Sequence, residues 1–342
     1  MSRSAPALFW HADGARVVCD LCAHRCSLTE GGIGRCGVRR HVAGQLVTDS
    51  DGQLVAAHAA PIERKPFHHV APGSLSFSYA AAGCTLRCAY CQNWMISQTV
   101  KEGPGPEARH WTAEALVEAA LASGCEVLAA TYGEPTVFYE FALRAAQAGR
   151  EAGLLNVWKT NGLTSLPAVA TMAPWLEAVN VDLKGWDAER HLQRLGGERD
   201  DVLAATEAWH RAGVFVEVTS LLLPDQLADW AELDALSAWI LDHLGPETPW
   251  HLSRYHPDYR LADGEPTPPE RLLAARERAR AHGHLYVYTN AQPETQHTVC
   301  PACDRVIIER YESGRVVDHR VEGRCVCGIT LPEARRRQTR PR

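Results

Sequence analysis

The sequence predicts an α/β fold: a partial (β/α)6 TIM-like barrel with cysteine-rich metal-binding modules at its N- and C-terminal ends. Three observations lead there. Through the middle of the chain, short apolar runs alternate with longer stretches of helical period. Polar or special residues follow those runs in succession, as they do at the carboxyl ends of barrel strands. Most of the 12 cysteines cluster at short spacings, a pattern of metal ligation.

The elements follow in order. The first zone carries Cys19, Cys22, Cys26 and Cys36. Next come apolar runs at 45–48 and 53–57, flanking Asp49-Ser50-Asp51-Gly52; an Asp-Gly pair there predicts a β-hairpin. Residues 61–73, with His68 and His69, read as a loop beside the barrel mouth, with metal ligation by the histidines as the alternative. Strands are predicted at 75–82, 127–131, 155–160, 178–182, 215–220 and 250–253, and a seventh at 285–288. Helices are predicted at 112–123, 137–152, 166–173, 200–212, 229–244 and 269–282. Thr112 and Thr136 offer N-caps, and Gly124, Gly153, Gly213 and Gly283 stand where helices end. Repeated βα units imply a parallel sheet with right-handed crossovers. A doubly wound sheet competes with the barrel, and periodicity alone does not separate them. Beyond the last unit, Cys300-x2-Cys303 and Cys325-x-Cys327 are joined by residues 306–321, which read as a β-hairpin; two cysteine pairs so joined suit a structural zinc ribbon. Lone Cys125 reads as a core residue. The expected organisation is a cysteine-rich module and strand-rich connector over 1–72, the barrel over 73–290, and a zinc-ribbon-like module with a basic tail over 291–342.

Composition narrows the class. Charged residues are 22% and apolar residues 46% of the chain, ordinary for a globular protein. No apolar run approaches the roughly 18 residues that span a bilayer, and residues 1–10 lack the apolar core of a signal peptide. The net charge of −6 gives no general reason to bind nucleic acid. The tail from Arg335 to Arg342 reads as a solvated end. Cysteine clusters without an export signal point to a reducing cytoplasm.

The most informative stretch is Cys84-Thr85-Leu86-Arg87-Cys88-Ala89-Tyr90-Cys91. Four thiolates close a zinc or iron–sulfur site, whereas three leave one metal position open for chemistry. An incomplete zinc knuckle with a distant fourth ligand is the alternative. Around the strand ends also stand Gly133 and Glu134, Asn161, Asp182 with Lys184, Thr219, Ser220, Tyr255 and His256. A buried Asp–Lys pair alone is usually structural; together these residues form a ring of ligands around one mouth.

The run from Ala81 to Trp94 resembles the radical S-adenosylmethionine (SAM) enzymes related to pyruvate formate-lyase-activating enzyme. The chain as a whole, over residues 15–332, resembles the radical SAM enzymes of the AmmeMemoRadiSam system. That narrower likeness is carried by Cys19-Asp20-Leu21-Cys22-Ala23-His24-Arg25-Cys26, Pro61-Ile62-Glu63-Arg64-Lys65-Pro66 and Thr131-Tyr132-Gly133-Glu134-Pro135-Thr136. The resemblance implies that Cys84, Cys88 and Cys91 ligate three irons of a [4Fe-4S] cluster, whose fourth iron binds SAM. It places Tyr90 by the adenine, Gly133 and Glu134 at the methionine ammonium, Asp182 and Lys184 on SAM, and His256 on the adenosine side. Asn161 would contact the ribose or carboxylate. Tyr132 stands where that family's Gly-Gly-Glu element has its first glycine.

The implied reaction is reductive cleavage of SAM to a 5′-deoxyadenosyl radical that abstracts hydrogen. The likeness to activating enzymes implies a glycyl radical on a partner protein. An electron donor such as flavodoxin or ferredoxin, and Memo-like and AMMECR-type proteins, are the implied company. Chemistry on a small molecule, or with the 3-amino-3-carboxypropyl group, is an alternative; a zinc-binding scaffold or adaptor is another. The C-terminal cysteines would hold Zn2+, and the N-terminal four zinc or an auxiliary cluster.

Overall fold

The computed structural model describes residues 4–336. Its centre is a nine-stranded sheet. Seven strands, Leu75–Ala81, Val127–Ala130, Leu155–Thr160, Ala178–Asp182, Phe215–Leu222, Trp250–Arg254 and Val287–Thr289, lie side by side in chain order. Each runs parallel to the next. All seven predicted strands are present, with ends shifted by a residue or two. A doubly wound sheet reverses its strand order at a switch point; this order never reverses. Right-handed crossovers that always step the same way put the helices on one face.

Those helices are Ala113–Ala122, Tyr139–Glu151, Leu166–Met172, Ala188–Leu195, Arg199–Arg211, Ala231–His243 and Pro269–Ala281. Thr112 caps the first by accepting from the Ala115 amide at 3.2 Å. Thr136 caps nothing. Glu134 takes that place ahead of a short 3-10 turn, Pro135–Phe138, and the α-helix begins only at Tyr139. The helix Ala188–Leu195 escaped prediction.

Side chains alternate between the two faces, as the pleat requires. Leu128, Ala130, Trp158, Val179 and Val181 pack with Tyr139, Ala142 and Ala145 in the main core. On the other face Val127, Ala129, Leu155, Val157 and Ala178 pack against Ile62, Phe67 and Val70. Residues 62–70 therefore cover that face. Only their first part borders the mouth; His68 and His69 are buried, and their amides donate to the Glu217 carboxylate at 3.1 and 2.9 Å.

The expected hairpin over 45–57 does not form. Gln45–Thr48 pairs with Arg39–Val42, while Gln53–Pro61 runs antiparallel to Leu75–Ala81 in the large sheet. The Asp-Gly turn serves as a crossing between sheets because it is anchored elsewhere. The Ser50 hydroxyl donates to the Val137 carbonyl at 2.7 Å, and Asp49 holds Arg40.

The C-terminal hairpin forms as expected, Val306–Arg310 against Val316–Asp318. Cys125 is buried in the main core. Residues 337–342, most of the basic tail, lie outside the described residues. No helix among the described residues is long and apolar enough to cross a membrane.

Candidate active site

The loop after Leu75–Ala81 is clamped from several sides. Gly83 has φ of +104°, and a Cβ there would come within 2.8 Å of the Cys36 carbonyl oxygen. The N-terminal module thus packs directly on the start of the loop. Farther on, the Ala89 amide donates to the Arg194 carbonyl at 3.0 Å, and the Ala89 carbonyl accepts from the Arg260 amide at 2.9 Å.

Cys84, Cys88 and Cys91 all line one cavity of about 460 Å³. Cys84 Sγ accepts from the Leu86 amide and from Asn161 Nδ2, each at 3.4 Å. Cys91 Sγ lies 3.2 Å from Ser97 Oγ. Burial pushes the Cys84 thiol up to about 12 and Cys88 up to about 11. Thiols so placed stay neutral near pH 7 unless a cation claims them as thiolates. Donors aimed at sulfur, burial and a shared cavity suit an iron–sulfur cluster.

The same cavity is lined by Tyr90, Gly133, Glu134, Asn161, Asp182, Lys184 and His256. Every SAM-contact residue expected from the sequence is therefore in this one place. Asp182 lies between Lys184, at 2.8 Å, and Lys159. Burial alone would raise its carboxyl, but the two ammonium groups hold it at about 2. Lys159 escaped the sequence reading, although alternation from Leu155 and Val157 sets it on the face they share.

Glu134 is 2% exposed. One carboxylate oxygen accepts from the Thr136 amide at 3.1 Å, the Thr136 hydroxyl at 2.7 Å and the Thr160 hydroxyl at 2.8 Å. The other accepts from the Asn161 amide at 2.8 Å. Glu134 thus ties the ends of two neighbouring strands together. Asn161 is tied in turn to Thr85 and Leu163. Tyr90 is buried with its hydroxyl unpartnered among the described residues. Also lining the cavity are Arg64, Lys65 and Tyr132, which the sequence reading named in motifs but gave no contact, and Asn290, which it missed.

The end groups differ in geometry. Cys300, Cys303, Cys325 and Cys327 bring their sulfurs within 4.8 Å of one another, and among the described residues theirs is the one set of three or more candidate ligands so gathered. Two of the separations are 3.5 and 3.6 Å. Cys19, Cys22, Cys26 and Cys36 instead surround a small apolar pocket with Leu21, His24, Arg39 and Thr85. Arg39 is 1% exposed, pairs with Glu140 and has its Nη1 3.9 Å from Cys19 Sγ.

The family model of the radical SAM superfamily matches residues 79–236, which span the cysteine triad and five of the parallel strands. Residues 79–236 form a radical SAM domain. It is 36% identical over 330 residues to an uncharacterized protein of Methanocaldococcus jannaschii, covering 94% of this chain and 97% of that one. Among solved structures, Streptococcus suis SuiB bound to S-adenosylmethionine matches at a TM-score of 0.49 with 14% identity, over 60% of this chain. The chain spans 48% of that one. A domain of pyruvate-formate lyase-activating enzyme from Bacteroides vulgatus matches at 0.38 with 16% identity, over 46% of this chain and 91% of the domain.

Proposed function

We propose that this chain reductively cleaves SAM at a [4Fe-4S] cluster held by Cys84, Cys88 and Cys91, at the mouth of a partial barrel. The observation that carries this reading is convergence. Three thiols from one strand end, Glu134 from the next, and the Asp182–Lys184 pair from a fourth surround one cavity. When bound, the reduced cluster supplies the electron that breaks the sulfonium C–S bond, and the resulting deoxyadenosyl radical abstracts hydrogen.

The residues divide the remaining work. Asp182 shares its charge between Lys159 and Lys184, which leaves ammonium character for the SAM carboxylate. The Gly133–Glu134 segment presents acceptors to the SAM ammonium. Tyr90 and His256 flank the adenosine, and buried Tyr90 keeps water from the cluster side. Asn161 holds Cys84 by its amide and orients the thiolate.

At the C-terminal module we infer zinc. Tetrahedral bonds of about 2.3 Å set sulfurs roughly 3.8 Å apart, close to what these cysteines already hold. The N-terminal four, set around a small apolar pocket with a buried arginine, are the ligands for zinc or an auxiliary iron–sulfur cluster in this reading, and metal analysis of Cys22→Ser separates the two. Likeness in sequence supports the finer assignment to the AmmeMemoRadiSam enzymes and a glycyl radical as product, with a flavodoxin or ferredoxin as donor in the cytoplasm.

The test is Cys88→Ala. Two thiolates cannot hold the cluster with one iron free, so 5′-deoxyadenosine formation with dithionite should vanish. Normal turnover by this variant would remove the basis for the radical reading.

A further inference from the structure

Lys65 is a buried cation without an acid. Its side chain lines the cavity, and the residue is 3% exposed. Its ammonium donates to the Tyr132 phenol oxygen at 2.5 Å and stands 4.4 Å from the centre of that ring. Among the described residues no carboxylate pairs with it, and its other two N–H bonds find no acceptor. A buried ammonium so placed is costly unless something anionic completes it.

Tyr132 is held in a matching way. Its φ is +63°, left-handed backbone that favours glycine. The phenol that accepts from Lys65 keeps its own proton to give, and His58 Nε2 lies 2.8 Å away. Partial desolvation and the Lys65 charge lower the His58 pKa, which favours the neutral imidazole, and its Nδ1–H tautomer accepts from the phenol at Nε2. In that tautomer ammonium, phenol and imidazole form one donor chain, and the remaining ammonium protons are left to the cavity.

Charge accounting says what they would meet. Asp182 is shared by Lys159 and Lys184, and Glu134 is the other carboxylate of the lining. Lys65, Arg64 and Arg254 remain, and none of them pairs with an acid among the described residues. A SAM molecule brings only one carboxylate, for which the lysines beside Asp182 suffice.

We propose that Lys65, oriented by Tyr132 and His58, forms a subsite for an anionic group, a carboxylate or a phosphate, on the molecule that loses the hydrogen atom. This rests on the SAM-cleaving reading of the cavity. Tyr132 and His58 are positioning residues; Lys65 makes the contact.

The experiment titrates malonate and inorganic phosphate calorimetrically into cluster-loaded protein saturated with SAM. At least one anion should bind, and the tighter of the two identifies the group. Lys65→Met should weaken binding about tenfold or more. Tyr132→Gly relieves the left-handed backbone but takes away the partner that orients Lys65, so it should bind the anion more weakly. A merely structural Tyr132 would leave the anion affinity unmoved. Wild-type protein that binds neither anion, or Lys65→Met that binds as well as wild type, overturns the subsite. So does anion binding that occurs only without SAM, which would give Lys65 to the carboxylate of SAM itself. SAM cleavage is read in the same samples. Absence of 5′-deoxyadenosine from wild type overturns the reading of the cavity, whereas its formation without anion binding overturns the subsite alone.

Discussion

Replacing Glu134 by Gln should cost stability before any ligand is added. The carboxylate accepts four hydrogen bonds, two of them from the backbone amides of Thr136 and Asn161 on its two separate oxygens. The two threonine hydroxyls can rotate to accept instead. The amides cannot. Whichever way the Gln amide is turned, its NH2 group faces one buried N–H. An unsatisfied buried donor costs about 1 to 3 kcal/mol. For a domain of this size that lowers Tm by about 2 to 12 °C. Scanning calorimetry of SAM-free protein measures it. A contact of Glu134 with the SAM ammonium adds a second effect, a SAM affinity weaker by about ten- to a hundredfold. The two readouts separate the roles: a lower Tm with unchanged affinity makes Glu134 only a brace between strands. A Tm within about 1 °C of wild type would refute the reasoning from hydrogen bonds.

Two further outcomes are expected. Cys303→Ser should lower bound zinc by about one per chain while iron content and uncoupled SAM cleavage stay largely unchanged; mass-spectrometric metal analysis reads this, and a loss of iron instead would put a cluster in the tail. Stability should fall as pH drops from about 6.5 toward 4, because burial lowers both His69 and His284 to about 4. Between those values the unfolded chain takes up protons that the folded one refuses, so stability rises with pH there, by up to about 3 kcal/mol per histidine. His284 touches only Ser237 through a ring nitrogen, at 3.0 Å, so His284→Asn should flatten the slope; an unchanged slope would mean other groups set it.

Strands were legible because fully buried parallel strands read as unbroken apolar runs, and the residues after them announced the site. The helix Ala188–Leu195 was not, since its buried residues are only His191 and Leu195 while Leu192 faces solvent, so no apolar stripe marks it. The turn at 49–52 misled because a hairpin signal is local, while the partner of Gln53–Pro61 lies beyond a further loop. At the site, motif residues could be named one by one. Lys159 and Lys65 could not be given contacts, because one is a charge inside a strand and the other lies in a segment that reads as loop. Only the assembled sheet and the segment that covers one face of it give them neighbours.

Residues 62–70 have a second consequence, concerning assembly. At one end of this segment Lys65 faces the cavity. At the other, the His68 carbonyl accepts from the Arg310 guanidinium at 2.6 Å, and His69 Nδ1 lies 2.7 Å from the Pro332 carbonyl oxygen. Arg310 and Pro332 both belong to the C-terminal module. A metal bound by its four gathered cysteines would do more than fold its own ribbon, because it would fix the far end of the segment that sets the lysine. Loosening the tail would therefore be felt far earlier in the chain, at the wall of the cavity where Lys65 stands, through the His68 and His69 contacts, which span 242 and 263 positions.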